Sequence, residues 1–138
     1  MIDLNLLMAS ISYIEAKKET FSDEFFARMF LSLDFPFENT KEKKQIFMFE
    51  IKKIIFEFYK DIGDGANYTQ KLGEMARGDG LRAFHYVIIR DCFLKTMKTQ
   101  MGVAYTPTIK SSWEDITIII IQILCTKVLE NPFSHLWN

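Results

Sequence analysis

Two histidines, His85 and His135, and two cysteines, Cys92 and Cys125, are the side chains on which nucleophilic or transition-metal chemistry would have to be built. A catalytic nucleophile needs a base within hydrogen-bond reach, and a metal needs three or four converging ligands. Here the histidines lie far apart in sequence, and each cysteine sits in an apolar helical stretch with no second cysteine nearby. The chain has no GxSxG, HExxH, CxxC or phosphate-loop pattern. An enzymatic site and a metal site are therefore not expected. Both thiols read as buried free groups in a reducing compartment, which implies a cytoplasmic protein.

The charge balance also narrows the partners. Seventeen basic residues against eighteen acidic ones leave a net charge of -1, with no general electrostatic footprint for nucleic acid. Asp3 precedes any basic residue, so no secretory signal is expected. The most apolar run, Ile116 to Leu124, is interrupted by Thr117 and Gln122 and is too short to span a bilayer. Hydrophobic residues make up 49% of the 138 and aromatic ones 14%, including 13 Phe, so the interior is unusually aromatic. The core is large, or it has a hole to line. Length and composition predict one domain over residues 1–138.

Helical spacing dominates the chain. Leu4, Leu7, Met8, Ile11 and Ile14 recur every three or four residues and predict a helix over Asp3–Lys18. A second helix is expected to be capped by Ser22 and to end before Pro36, with a corner over Asp34–Thr40. A long helix follows from Lys41 to about Ile62, with Phe47, Ile51, Ile54, Phe58 and Ile62 on one face and Glu50, Lys53, Glu57 and Lys60 on another. Gly63 and Gly65 stop it. A short helix over Asn67–Ala76 leads to one over Arg82–Met101, closed by Gly102. The last begins with Thr106 as cap and Pro107 in the first position, and runs to about Leu129 before Asn131 and Pro132. No two-residue alternation between hairpin turns appears, so an all-α domain of about six helices is predicted.

The order and punctuation of these helices resemble bacterial single-domain globins and globin-type sensor domains over nearly the whole chain. Phe25-Phe26-Ala27-Arg28-Met29-Phe30 is similar to their Phe-Tyr-x-Arg-Met-Phe pattern. Leu72-Gly73 is similar to the pair that leads into the proximal histidine, and Leu81 to Tyr86 to the turn and helix start beyond it. Tyr105-Thr106-Pro107 and Trp113 resemble the opening of the last globin helix. The resemblance implies a globin-like fold, yet it places Ala76 where the iron-binding histidine belongs, and a methyl group offers iron no lone pair. Phe26 occupies the distal tyrosine position without a hydroxyl, and the distal glutamine or histidine position falls on or near Lys43. No haem is expected.

More narrowly, the chain resembles haem-less globin-like sensor domains of spore-forming bacteria, including small free-standing homologues of a sporulation histidine kinase's sensor domain. The resemblance implies a dimer, a fatty acid in a tunnel made from the vacated haem space, and a bound halide such as chloride. It also implies inhibition of sporulation by competing with the kinase for its signal. The expected wall comprises Phe26, Met29 and Leu33 on the second helix, with Phe47 and Ile51 on the long one. Leu72, Met75 and Ala76 on the short helix, and Phe84 and Ile88 beyond it, complete it. Burying an acyl chain gains roughly 0.8 kcal/mol per methylene, which over a long chain exceeds the cost of association. The carboxylate must stay at the mouth, near water or a cation. Lys43, Lys44, Arg77 and His85 are the anchor candidates, each also readable as an ordinary solvated or structural residue. The competing expectation is a filled core, with Phe26, Phe37, Phe47, Met75 and Phe84 packed into the vacated volume, in a structural dimerisation module without a ligand.

Ile116, Thr117, Ile118, Ile119, Ile120, Ile121, Gln122, Ile123 and Leu124 make the final helix apolar around nearly its whole circumference. A helix of that kind must be covered from two sides. In a domain this small the second cover is expected to be another copy, giving a twofold dimer through the last two helices.

Overall fold

The structure, a computed structural model, describes residues 3–32, 40–60 and 81–129. Among these there is no strand, and the order is α1 (Leu4–Ala16), α2 (Lys18–Ser32), α3 (Lys41–Lys60), α4 (Ala83–Met101), a 3-10 turn (Gly102–Ala104) and α5 (Pro107–Leu129). The all-helical expectation holds for them. The expected short helix over Asn67–Ala76, the corner after α2 and the stop signals Gly63, Gly65, Asn131 and Pro132 lie outside the described residues. No described helix is long and apolar enough to cross a membrane.

Local chemistry accounts for most helix ends. The Asp3 carboxylate accepts from the Leu6 amide at 3.1 Å and caps α1. Thr40 caps α3 through its hydroxyl, which accepts from the Lys43 amide at 3.2 Å. Thr106 does the same for α5, accepting from the Ile109 amide at 3.3 Å ahead of Pro107. Gly102, at φ 54, takes the left-handed conformation that ends α4 without a Cβ penalty.

The start of α2 differs from the expectation. Helix α2 begins at Lys18, so Ser22 lies inside it and caps nothing. Lys17 alone separates α1 from α2: it leaves the helical region at φ -120 and ψ 30, and its carbonyl accepts from the Phe21 amide at 2.9 Å. The good helix formers Lys18 and Glu19, and the buried Phe21 one turn on, extend the helix backwards past the serine.

The chain falls into two compact units. One comprises Met1–Asp34 with Ile88–Ile119, the other Phe35–Val87 with Ile120–Asn138. In the first, Phe21, Phe25, Phe26, Met29, Met97 and Trp113 are essentially completely buried. Phe93 ties this interior together. Its ring meets Phe21 edge-on at 5.5 Å and Phe25 edge-on at 5.6 Å, and lies tilted against Trp113 at 5.3 Å. Such pairs add about 0.5–1.5 kcal/mol each beyond the area they bury.

Polar cross-links frame that core. Tyr13 donates its hydroxyl to the Gln100 carbonyl at 2.7 Å, and Gln100 donates from Nε2 to Glu24 at 3.0 Å. Arg28 reaches both Glu24, at 3.3 Å, and the Thr99 hydroxyl, at 3.2 Å. In the second unit the described core includes Met48, Leu81, Tyr86 and Leu124, and the Cys125 thiol lies 3.6 Å from the Ala83 carbonyl.

Candidate functional site

The residues expected to line a ligand chamber are distributed over both units. Phe26 and Met29 are completely enclosed in the first, one turn apart on the buried face of α2. The Phe26 ring lies 5.5 Å from Phe25 and stacks on Phe30 at 6.1 Å. Ile88, also in the first unit, and Ile51, in the second, are half-buried. Leu33, Leu72, Met75, Ala76, Arg77 and Phe37, together with the Phe47 side chain, lie outside the described residues.

Phe84 and His85 are placed differently from the sequence expectation. Phe84 is 46% exposed, whereas His85 is 7% exposed. Helix α4 starts at Ala83 and each residue turns the helix by about 100°. Turning His85, Tyr86 and Ile89 inward therefore sends Phe84 and Val87 outward. The Phe84 ring covers the imidazole, with centroids 4.4 Å apart.

His85 also has a defined local task. Its Nδ1 accepts from the Arg82 amide at 2.9 Å, while its own amide donates to the Arg82 carbonyl at 3.1 Å. The first bond is one half of a capping box, with an imidazole in the place usually held by Glu or Gln, and the second is a backbone turn. Of the other anchor candidates, the Lys43 side chain is exposed and that of Lys44 is half-buried.

Two polar features of the first unit were not singled out from the sequence. Arg90 donates from Nε to the Thr117 hydroxyl at 3.0 Å and from Nη2 to the Glu114 carbonyl at 3.1 Å, and Thr117 donates onward to the Trp113 carbonyl at 2.6 Å. Tyr105 shares this environment: burial pushes its phenol up, the Glu114 charge adds to the rise and Arg90 opposes it. The second feature is the indole N–H of Trp113, which is buried and has no hydrogen-bond partner among the described residues. Leaving such a donor unpaired costs about 1–3 kcal/mol. A sequence shows that Trp113 is large and apolar, but not that its one polar atom ends among rings.

Of the two thiols expected to be buried, Cys92 is buried and Cys125 is half-buried. Burial pushes Cys92 up, with the Ser32 hydroxyl at 3.9 Å partly offsetting it, and burial also pushes Cys125 up. Both stay protonated near neutrality and make poor nucleophiles. Among the described residues no group of three His, Cys, Asp or Glu side chains converges as metal ligands. On α3, burial pushes Glu50 up while the neighbouring Lys53 opposes the rise.

No protein-family model matches the chain, and no curated protein is significantly similar to it. The candidate site therefore rests on the residues themselves. Its best-defined portion is the Phe26–Met29 face of α2, which is apolar, fully enclosed and carries no hydroxyl at the position the globin resemblance assigns to a haem-facing tyrosine.

Proposed function

We propose that the chain is a non-enzymatic globin-like sensor domain, without haem, that holds a fatty acid in an apolar chamber. What favours this reading over a haem protein is the apolar face of α2, where Phe26 stands at the position the globin resemblance assigns to a tyrosine and brings no hydroxyl; with Phe26 and Met29 completely buried, an acyl chain would displace side chains as it enters. An interior of that kind favours an acyl chain over an iron-bound diatomic ligand, because it offers dispersion contacts and no hydrogen-bond donor. Following the resemblance, the protein is cytoplasmic, binds a halide as well, and inhibits sporulation by withholding the lipid signal from a sensor histidine kinase.

Self-association through α4 and α5 belongs to the same proposal. Phe84 and Val87 on α4, and Ile118 and Ile119 on α5, are exposed at 46%, 55%, 39% and 37%. Phe84 and Val87 lie in the second unit and Ile118 and Ile119 in the first, and in each unit such exposed apolar side chains are what a second copy would cover. Substituting Ile118 and Ile119 by Asp should leave a monomer by light scattering if this pair lies in the interface, and an undiminished dimer would place the contact elsewhere.

A second reading has support in the same region. The close approach of Phe25, Phe26 and Phe30 is what a filled core looks like, and a structural interaction module would need nothing more. Solvent extraction of the native protein followed by mass spectrometry separates the two. The sensor reading expects a long-chain fatty acid in the extract and no haem band on haem supplementation. An extract containing only buffer components would favour the filled core.

A further inference from the structure

The outer face of α3 carries a pattern that the ligand-binding proposal does not use. Ile46 and Phe49 are exposed at 54% and 64%, although α3 has a separate inward side marked by Met48 at 8%. Glu42 and Lys53, also exposed, extend the same stripe at either end. The positions Glu42, Ile46, Phe49 and Lys53 are separated by four, three and four residues, the spacing of one helical seam. Beside the seam lie Lys43 and Glu50.

This seam reads the same from both ends apart from the sign of its charges. Laid antiparallel against itself, it sets Ile46 opposite Phe49 of the second copy, and Phe49 opposite its Ile46. The same register sets Glu42 opposite Lys53, twice by symmetry. A parallel pairing would stack Glu42 on Glu42 and Lys53 on Lys53, which like-charge repulsion disfavours. Unrelated partners have no reason to match a pattern that is its own complement; a second copy does, because a twofold contact is self-complementary.

We propose that the outer face of α3 is a self-association surface, in which α3 pairs antiparallel with α3 of a second copy through Ile46 and Phe49, flanked by Glu42–Lys53 ion pairs. The seam spans about three turns, so the contact is small and concentration-dependent. It is separate from α4 and α5, and its success or failure leaves the ligand and the α4–α5 dimer to their own tests.

Charge exchange on the full-length protein tests the register. In sedimentation velocity over a concentration series, Glu42→Lys and Lys53→Glu should each weaken one association step roughly tenfold, since each replaces two attractive contacts by two repulsive ones. The double variant Glu42→Lys/Lys53→Glu recreates the pairs with reversed sign and should return the constant to within about twofold of the parent. Phe49→Asp should abolish the step, with helicity by circular dichroism retained, because the side chain is exposed. The proposal is overturned by the absence of any concentration-dependent step sensitive to Phe49→Asp, by single exchanges that leave the constant unchanged, or by a double variant no better than the singles.

Discussion

Around Phe93 the large rings turn inward and meet one another, whereas on α3 Ile46 and Phe49 turn outward and stay more than half exposed. The two regions use similar residue types for different ends. In the first, rings at 5.3–5.6 Å and cross-links such as Tyr13 to Gln100 hold helices of one unit together. In the second, apolar side chains stand among charges of both signs, where they contribute little to folding and are available for recognition. Hydrophobicity alone does not separate these roles; the direction in which the helix presents each residue does.

The sharpest way to break this comparison is to truncate one ring in each region. Phe93→Ala removes three aromatic contacts from a closed interior and should cost about 3–5 kcal/mol in urea unfolding. Phe49→Ala should change the stability of the dilute protein by less than about 0.5 kcal/mol, as expected for a surface position. Equal losses would mean that the outer face of α3 is part of the folding core.

A smaller effect is expected at the head of α4. His85→Ala deletes the side-chain acceptor for the Arg82 amide and should cost about 1 kcal/mol, with His85→Gln recovering part of it because Gln serves the same place in a capping box. If His85→Gln is no better than His85→Ala, packing beneath Phe84 rather than the hydrogen bond explains the burial.

The alkaline limb of stability gives a finer test. Cys92, Cys125 and Tyr105 are all raised in the folded protein, so the unfolded chain loses these protons first. Their contribution is complete below the ordinary thiol value of 9.0 and declines as pH rises through and beyond it, with Tyr105 following above 10.0. Unfolding free energy should therefore fall from pH 9 upward, and Cys92→Ala should flatten the first part of that fall. A rise in stability over this range would contradict the burial of these groups.

Much of this arrangement was legible in the residue order, in particular places. Thr106-Pro107 and Gly102 act at helix ends as expected, and Cys92 is buried as its apolar surroundings imply, whereas Thr40 was expected only in a corner and Cys125 is half-buried. Ser22 was misleading because a good cap residue can also lie inside a helix that earlier residues and a buried Phe21 extend past it. Phe84 and His85 exchanged their expected settings because periodicity alone leaves the phase of α4 open by one residue, and that step carries a side chain across the helix surface. On α3 the expected stripe holds Ile51 and Ile54, which are half-buried, while Met48, outside that stripe, is buried; a helix with apolar residues on two faces gives no sequence signal for which of them meets a partner. The Phe26 and Met29 positions were found through their resemblance to a globin pattern, and both are enclosed.

The central claim is that this interior accommodates a lipid. Native mass spectrometry of the purified protein tests it most directly, since it weighs each protomer with any guest still inside. The account predicts a protomer heavier than the 138-residue chain by one long-chain fatty acid, with the excess lost on denaturation. A native mass equal to that of the bare chain, unchanged after incubation with long-chain fatty acids, would contradict it.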